Sequence, residues 1–323
     1  VIGVVIPYFQ RKPGLLNRAL CSVAAQAGGN PLRVYIVDDT SPIPAETELA
    51  GLNEDFKQNI VILHQPNSGP GIARNLALDT MPDDISCVAF LDSDDAWGKE
   101  HLNNVAAAIA VGADFYFADH QREEDAQCRF ARCKYQPDGA VIAGTHDAVF
   151  WCDVRALCRA ILVRSPVGTS TVAIRRSKIG ATRFPTWLRA AGEDTIFWLD
   201  LLNGDLNTAC GVTMEVAYGR GVSIFNHRSW GNVAALRTNL DEMQSQIHML
   251  RHFVHDSALI AQRKARCRDL DLDFCGNLMG CIRRGQWPAA LVFAYLRHRP
   301  GAWMHLPASA MRSMRQKIRS FTP

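Results

Sequence analysis

Over its first 120 residues the chain switches at a nearly constant pitch between short β-rich runs and stretches with helical spacing. VIGVVIP reads as a strand, and LLNRALCSVAAQ follows with Leu16, Leu20 and Val23 on one helical face. LRVYIVDD and NIVILHQ are two more strands, GPGIARNLALDT opens a helix, SCVAFLD is a fourth strand, KEHLNNVAAAIAV a helix and ADFYFAD a fifth strand. This alternation predicts an α/β fold with a largely parallel sheet between helices. Ligands on such sheets sit beyond the carboxyl ends of the strands.

Three of the expected strands end in acid: at Asp38 and Asp39, at Asp92 to Asp95, and at Asp119. The segment AFLDSDDAW crowds Asp92, Asp94 and Asp95 into four positions. Like charges so close raise one another's pKa unless a cation or hydrogen-bond donors compensate. A hard cation such as Mg or Mn takes carboxylate oxygens together with substrate phosphates. The plainer alternative is a solvated turn in which Asp94 or Asp95 caps the next helix.

Three other segments carry the same two-sided character. In VYIVDDTSP, an acid closing the second strand suits ribose hydroxyls or a base N–H, and equally suits an Asx-turn into Ser41 and Pro42. In NSGPGIARN, Gly69 and Gly71 precede a helix carrying Arg74 and Asn75, which allows close approach of a phosphate or forms an ordinary turn. Neither a full G-x-G-x-x-G nor a Walker lysine is present. In GEDTIFWLDLL, Glu193 and Asp194 open an amphipathic helix, as dipole-stabilised caps or as a carboxylate general base aimed at an acceptor hydroxyl.

Between residues 120 and 168 the pattern loosens. TSTVAIRRS then reads as a strand, GEDTIFWLDLLNG as a helix ended by Gly204, and GVTMEVAYGRG as a strand. From about residue 235 the chain reads helical up to the breaks at RPGAW, with no repeat and no low-complexity linker.

Composition excludes several classes. With 48% hydrophobic and 21% charged residues the chain is neither disordered nor collagen-like. The ten cysteines form no C-x-x-C pair and sit in scattered apolar segments, as expected of a reduced compartment. No apolar run approaches the roughly 18 residues of a spanning helix, and VIGVVIPYF lacks the marks of a signal peptide. A cytoplasmic location is expected, with no nucleic-acid partner.

Charge is uneven: residues 256–323 carry twelve Lys or Arg against four Asp, a net of +8, leaving a net of −5 on the rest. In SAMRSMRQKIRSF, Met311, Met314, Ile318 and Phe321 recur at helical spacing among basic residues. Such a helix lies on an anionic membrane surface, with Trp303 as an interface residue, or packs on the body, or pairs with a second subunit as a homodimer. His248, His252 and His255 share a helical face, but no acid follows in the arrangement of a zinc protease, and they read as surface residues.

Taken in order, VVIPYF, VDDTS, NSGPGIARN, FLDSDD and GED before a helix resemble the pattern of the inverting family 2 glycosyltransferases, of the kind that assemble bacterial polysaccharides. The similarity runs from Val1 to about Trp230. It implies a glycosyltransferase A fold, a Rossmann-like mixed sheet flanked by helices. Residues 1–235 would form the catalytic domain, with a nucleotide-binding half to 120 and an acceptor half from 121, and residues 236–323 a helical basic extension.

The resemblance also implies roles. Pro7 and Tyr8 would lie beside the base, Asp39 would contact the uracil of a UDP sugar, and Arg74 and Asn75 would flank the nucleotide. Asp94 would ligate the divalent metal, Mn or Mg, with Asp92 nearer the ribose and also available to the metal, and Ser93 between them at the donor. His227, in IFNHRSWGN, would complete the metal shell, with Arg228 on a phosphate. Asp194 would be the catalytic base and Glu193 would orient it or meet a saccharide acceptor, which a membrane-bound enzyme would find lipid-linked. Two rivals stand beside this reading: a nucleotide-sugar binding or scaffold protein without turnover, and a nucleotidyltransferase acting on sugar phosphates.

Overall fold

The computed structural model describes residues 1–122, 124–143, 145, 148–219 and 231–309. The chain divides into two compact units, one of Val1–Thr186 with Asp194–Val222 and one of Trp187–Glu193 with Ser223–Pro323.

The first unit is built on a sheet of nine strands among the described residues. They are β1 (Ile2–Tyr8), β2 (Leu32–Asp38), β3 (Ile60–His64), β4 (Cys87–Phe90), β5 (Ala96–Trp97), β6 (Phe115–Arg122), β7 (Val149–Cys152), β8 (Ala173–Arg175) and β9 (Thr208–Tyr218). Its helices are α1 (Leu15–Ala24), α2 (Glu54–Lys57), α3 (Pro70–Thr80), α4 (His101–Ala110), α5 (Arg129–Cys133), α6 (Val154–Arg164) and α7 (Arg176–Ile179), followed by α8 (Glu193–Leu202), whose first residue falls in the second unit. The strand order is β3-β2-β1-β4-β8-β6-β9-β5, with β7 added on β9.

The first four strands of that order run parallel, as the alternation predicts. β8 is reversed against both β4 and β6, so the sheet is mixed. β1 is buried at every position, the signature of a strand covered on both faces. Leu16, Leu20 and Val23 of α1 pack into the same core, as their spacing predicts.

Three expectations shift. TSTVAIRRS is a strand only over Ala173–Arg175, because Thr169–Thr171 forms a 3-10 turn. The loosely patterned stretch after residue 120 contains β7 and the amphipathic α6, whose Asp153 caps the helix by accepting the Ala156 N–H at 2.7 Å. Asp119 does not end its strand: β6 continues to Arg122 past an irregularity at Asp119, whose Oδ1 accepts the Phe130 N–H at 2.9 Å.

An aromatic cluster anchors α8. Phe197 and Trp198 lie edge-on to Phe90 of β4, Trp198 also meets Phe115 of β6, and Phe184 stacks on Phe197 at 3.9 Å. Rings packed at such separations contribute roughly 0.5–1.5 kcal/mol per pair beyond their burial. The body of α8 is thereby fixed to the strand that leads into the acid cluster.

In the second unit α9 (Val233–His252), α10 (Ser257–Arg283) and α11 (Ala289–His298) pack through Leu236, Leu240 and Met243 against Leu270, Phe274 and Tyr295. Asn232 and Asp256 cap α9 and α10. The buried Asp271 pairs with Arg299 at 2.6 Å and accepts the Tyr295 hydroxyl at 3.1 Å. Among the described residues no helix is long and apolar enough to cross a membrane. All ten cysteines are free thiols. The basic tail from residue 310 lies outside the described residues.

Candidate active site

The strand register brings the expected acids to one rim of the sheet. Tyr8, at the end of β1, stands opposite Asp38, and Asp38 stands opposite His64 at the end of β3. β4 runs parallel to β1 and delivers Asp92 and its neighbours to the same edge. β6 and β9 follow the same sense, so Tyr218 ends there too.

Asp38 and Asp39 divide their work. Asp38 accepts the N–H groups of Ser41 at 2.6 Å and Ala45 at 3.0 Å, the Asx-type turn. Asp39 accepts from Gln65 and Ser68 on Oδ1 and from the Gly69 N–H on Oδ2. It thus ties β2 to the start of α3, and its own N–H donates to the Tyr8 carbonyl at 2.9 Å. Pro7 and Tyr8 are buried beside it, and burial pushes the Tyr8 phenol up to about 12.

On α3, Arg74 is 3% exposed and pairs with Asp92 at 2.7 Å, its guanidinium 5.3 Å from the Phe184 ring. Asn75 turns instead to the Phe184 backbone. The A-R-N segment therefore holds one acid of the cluster and the loop beside it.

The acid cluster is held from a place the sequence does not advertise. Ser170, in the turn before β8, donates its hydroxyl to Asp95 at 2.5 Å and accepts the Asp92 N–H at 2.9 Å. Its carbonyl accepts the Trp97 indole N–H at 2.7 Å. Asp95 also accepts the Gly219 N–H at 2.8 Å, and burial, then Asp94 and Asp92, hold its pKa well above the usual carboxylate range. Gly219 approaches so closely that any side chain there would collide with the Asp94 carbonyl, which also accepts from Arg18. Ser93 is buried and accepts from Gln10 at 3.0 Å. Asp95 is thus a structural acid, whereas Asp92 and Asp94 remain partly open to solvent.

Behind the cluster lies a second buried group. Glu215 of β9 meets His101 of α4 at 2.6 Å, Asn104 at 3.0 Å and the Tyr116 hydroxyl at 2.5 Å. Trp97 lies against His101 at 4.8 Å, so this group and Ser170 grip the same residue.

Asp194, in the first turn of α8, is half-buried. One carboxylate oxygen accepts the Thr195 N–H at 2.6 Å and the other the Thr169 hydroxyl at 3.2 Å. Thr169 precedes Ser170, so one short turn holds both the Asp92–Asp95 segment and Asp194. Glu193 is buried.

For a divalent cation the donor set is two partly exposed carboxylates, Asp92 and Asp94. Among the described residues no group of three or more His, Cys, Asp or Glu is arranged as a metal cage. Two hard oxygen donors fit a Mg- or Mn-type ion whose other ligands are water and phosphate. His227 lies outside the described residues.

Comparison with known proteins agrees with this arrangement. Residues 3–156 match the family described as Glycosyl transferase family 2. The succinoglycan biosynthesis protein ExoW of Rhizobium meliloti (strain 1021) is 34% identical over 227 residues, covering 70% of this chain and 70% of that protein. The fold is shared with S. aureus TarS 1-349 in complex with UDP-GlcNAc, at TM-score 0.54 and 19% identity over 86% of this chain and 72% of that one. It is shared as well with the mannosyltransferase PcManGT from Pyrobaculum calidifontis in complex with GDP-Man and Mn2+, at TM-score 0.52 and 15% identity over 97% of this chain and 86% of that one. A glycosyltransferase A sheet whose strand ends carry Asp38, Asp39 and the Asp92–Asp95 segment, with Arg74 of α3 paired to Asp92, together with this likeness to ExoW, means that the chain is a glycosyltransferase and belongs to glycosyltransferase family 2.

Proposed function

We propose that the protein transfers a sugar from a nucleotide sugar, most simply a UDP sugar, to a hydroxyl of a saccharide acceptor during polysaccharide assembly, with inversion at the anomeric carbon. The observation that carries this reading is Asp194, a half-buried carboxylate with one oxygen held by the turn that also fixes the acid cluster and the other by the Thr195 N–H. ExoW, by its name a protein of succinoglycan biosynthesis, supplies the polysaccharide context. The UDP-GlcNAc complex of TarS supports the donor class.

In this reading Asp39 keeps capacity for one further donor, since three N–H bonds leave part of its two oxygens available, and a uracil N–H suits it. Pro7 and Tyr8 border the base. Arg74 and Asn75 flank the nucleotide, Arg74 by orienting Asp92 and Asn75 by fixing Phe184. Asp94 and Asp92 would hold a divalent ion, with Ser93 between them. Bound there, the ion would neutralise negative charge on the departing diphosphate. Asp194 takes the proton of the acceptor hydroxyl as its oxygen forms a bond to the anomeric carbon. The bond from that carbon to the diphosphate breaks on the opposite face, which inverts the centre. Glu193 orients the base.

The acceptor is a lipid-linked saccharide at the inner face of the membrane, reached through peripheral contact by the basic C-terminal region. Residues 283–303 expose Trp303 (61%) and Phe293 (75%) as well as Arg283, Arg284 and Arg297, the composition that an anionic interface favours. The reading is tested by incubating the protein with Mn and a series of UDP sugars and measuring UDP release with and without acceptor. Release of pyrophosphate from UTP, with none of UDP from any UDP sugar, would overturn it.

A further inference from the structure

We propose that helix α9 of the C-terminal extension is a positioning element for the catalytic base, acting through Asp241 on the segment that leads into Asp194. The inference rests on the reading of Asp194 as that base.

Asp241 is 1% exposed, and its Oδ2 accepts two consecutive backbone N–H groups, those of Arg189 at 2.9 Å and Ala190 at 2.5 Å. Burying a carboxylate is unfavourable unless hydrogen bonds compensate. Burial does push the Asp241 pKa up, against the pull of those two N–H groups. One turn further on, Ser245 lies against Gly192, which has φ of +89°. A side chain on Gly192 would meet the Ser245 Oγ at 2.8 Å. Another turn along, His248 meets the Trp187 ring at 5.3 Å. Residues 241, 245 and 248 share one face of α9 at helical spacing. That face fixes the backbone at 189–190, the close approach at 192 and the ring at 187. Glu193 and Asp194 come next in the chain.

A misplacement of about 1 Å in a reacting group lowers a rate by roughly a hundredfold, so the precision of this segment bears directly on turnover. Removing the Asp241 carboxylate frees two N–H groups and loosens the approach to the base. The nucleotide rim belongs to the first compact unit and is made of other residues.

The test compares Asp241→Ala, Asp241→Asn and Gly192→Ala in the full chain. For D241A we expect kcat at saturating donor and acceptor to fall at least tenfold, while UDP affinity by calorimetry stays within twofold. D241N should restore most of kcat, because an amide oxygen in the same place accepts both N–H groups. G192A should reproduce the loss by strain at φ +89° and contact with Ser245, leaving Asp241 intact. Amide exchange at Arg189 and Ala190 should speed up in D241A and not in D241N, a readout independent of activity. Wild-type kcat in D241A or G192A would overturn the proposal, as would loss of UDP affinity in proportion to kcat. A wild-type protein without transfer to any acceptor would instead overturn the underlying reading of Asp194.

Discussion

The side-chain amide of Asn75 closes on the backbone of Phe184 from both sides, donating to its carbonyl and accepting its N–H, each at 2.8 Å. The two residues are 109 positions apart. The pair holds the Phe184 ring beside Arg74, which in turn holds Asp92. Asn75→Ala leaves a buried N–H and a buried carbonyl without partners, at about 1–3 kcal/mol each. We expect a loss of about 2–6 kcal/mol in denaturant unfolding, and an unchanged midpoint would contradict the assignment.

Asp194→Asn keeps the shape of the side chain and removes its basicity. Turnover should fall by about a hundred- to ten-thousand-fold, the usual contribution of a positioned general base. UDP affinity should hardly change. Turnover close to wild type would remove Asp194 from the role of base.

Asp94→Ala tests the cation. UDP binding measured by calorimetry with Mn should weaken markedly, whereas binding without metal should change little. Equal weakening in both titrations would mean that Asp94 shapes the pocket and does not hold the ion.

Glu215 sits at the centre of a buried group with His101, Asn104 and Tyr116. Breaking such a pair by removing one partner typically destabilises by about 3–5 kcal/mol. Glu215→Ala should lower the denaturant midpoint accordingly. A shift equivalent to less than about 1 kcal/mol would show that the group is not a structural anchor.

His120 gives the pH dependence. Its ring is buried and stacked on Tyr218 at 4.3 Å, and burial, followed by the charge of Arg129, pulls its pKa down to about 3. The unfolded chain takes up the proton near 6.5 and the folded chain does not. Stability from this group is therefore complete above pH 6.5 and declines as pH falls towards 3, by up to about 1.4 kcal/mol per pH unit. The difference in unfolding free energy between pH 7 and pH 5 should be smaller in His120→Gln than in wild type. Equal differences would refute the assignment.

Much of this was legible in the residues themselves. The apolar runs of β1 to β4 and the helical spacing of α1, α3, α4 and α8 carry strong periodic signals. Their order places Asp38, Asp39 and Asp92 at one rim before any coordinate is known. Ser170 was not legible: a serine in a β-branched run has no distinguishing neighbour, and its role exists only because β8 is reversed. Direction of pairing is a tertiary property that side-chain alternation does not encode. β7 and α6 were missed for a related reason, since short elements among arginines, cysteines and turn residues show little periodicity. Asp119 looked like a rim acid and is a local anchor, because a strand end and an irregularity within a strand look alike in one dimension.

The reversal of β8 has a further consequence. β6 leaves the sheet at the rim where β8 enters it, so the whole excursion between them, including α5, β7 and α6, departs from and returns to the mouth of the site. Within that excursion β7 runs back along β9 until Cys152 pairs with Thr208 at the start of that strand, and α6 follows before the chain reaches the turn that holds Ser170. The turn that grips Asp92, Asp95 and Asp194 is therefore the landing point of a path that has travelled the edge of the sheet, so the seating of β7 on β9 bears on where those acids are held.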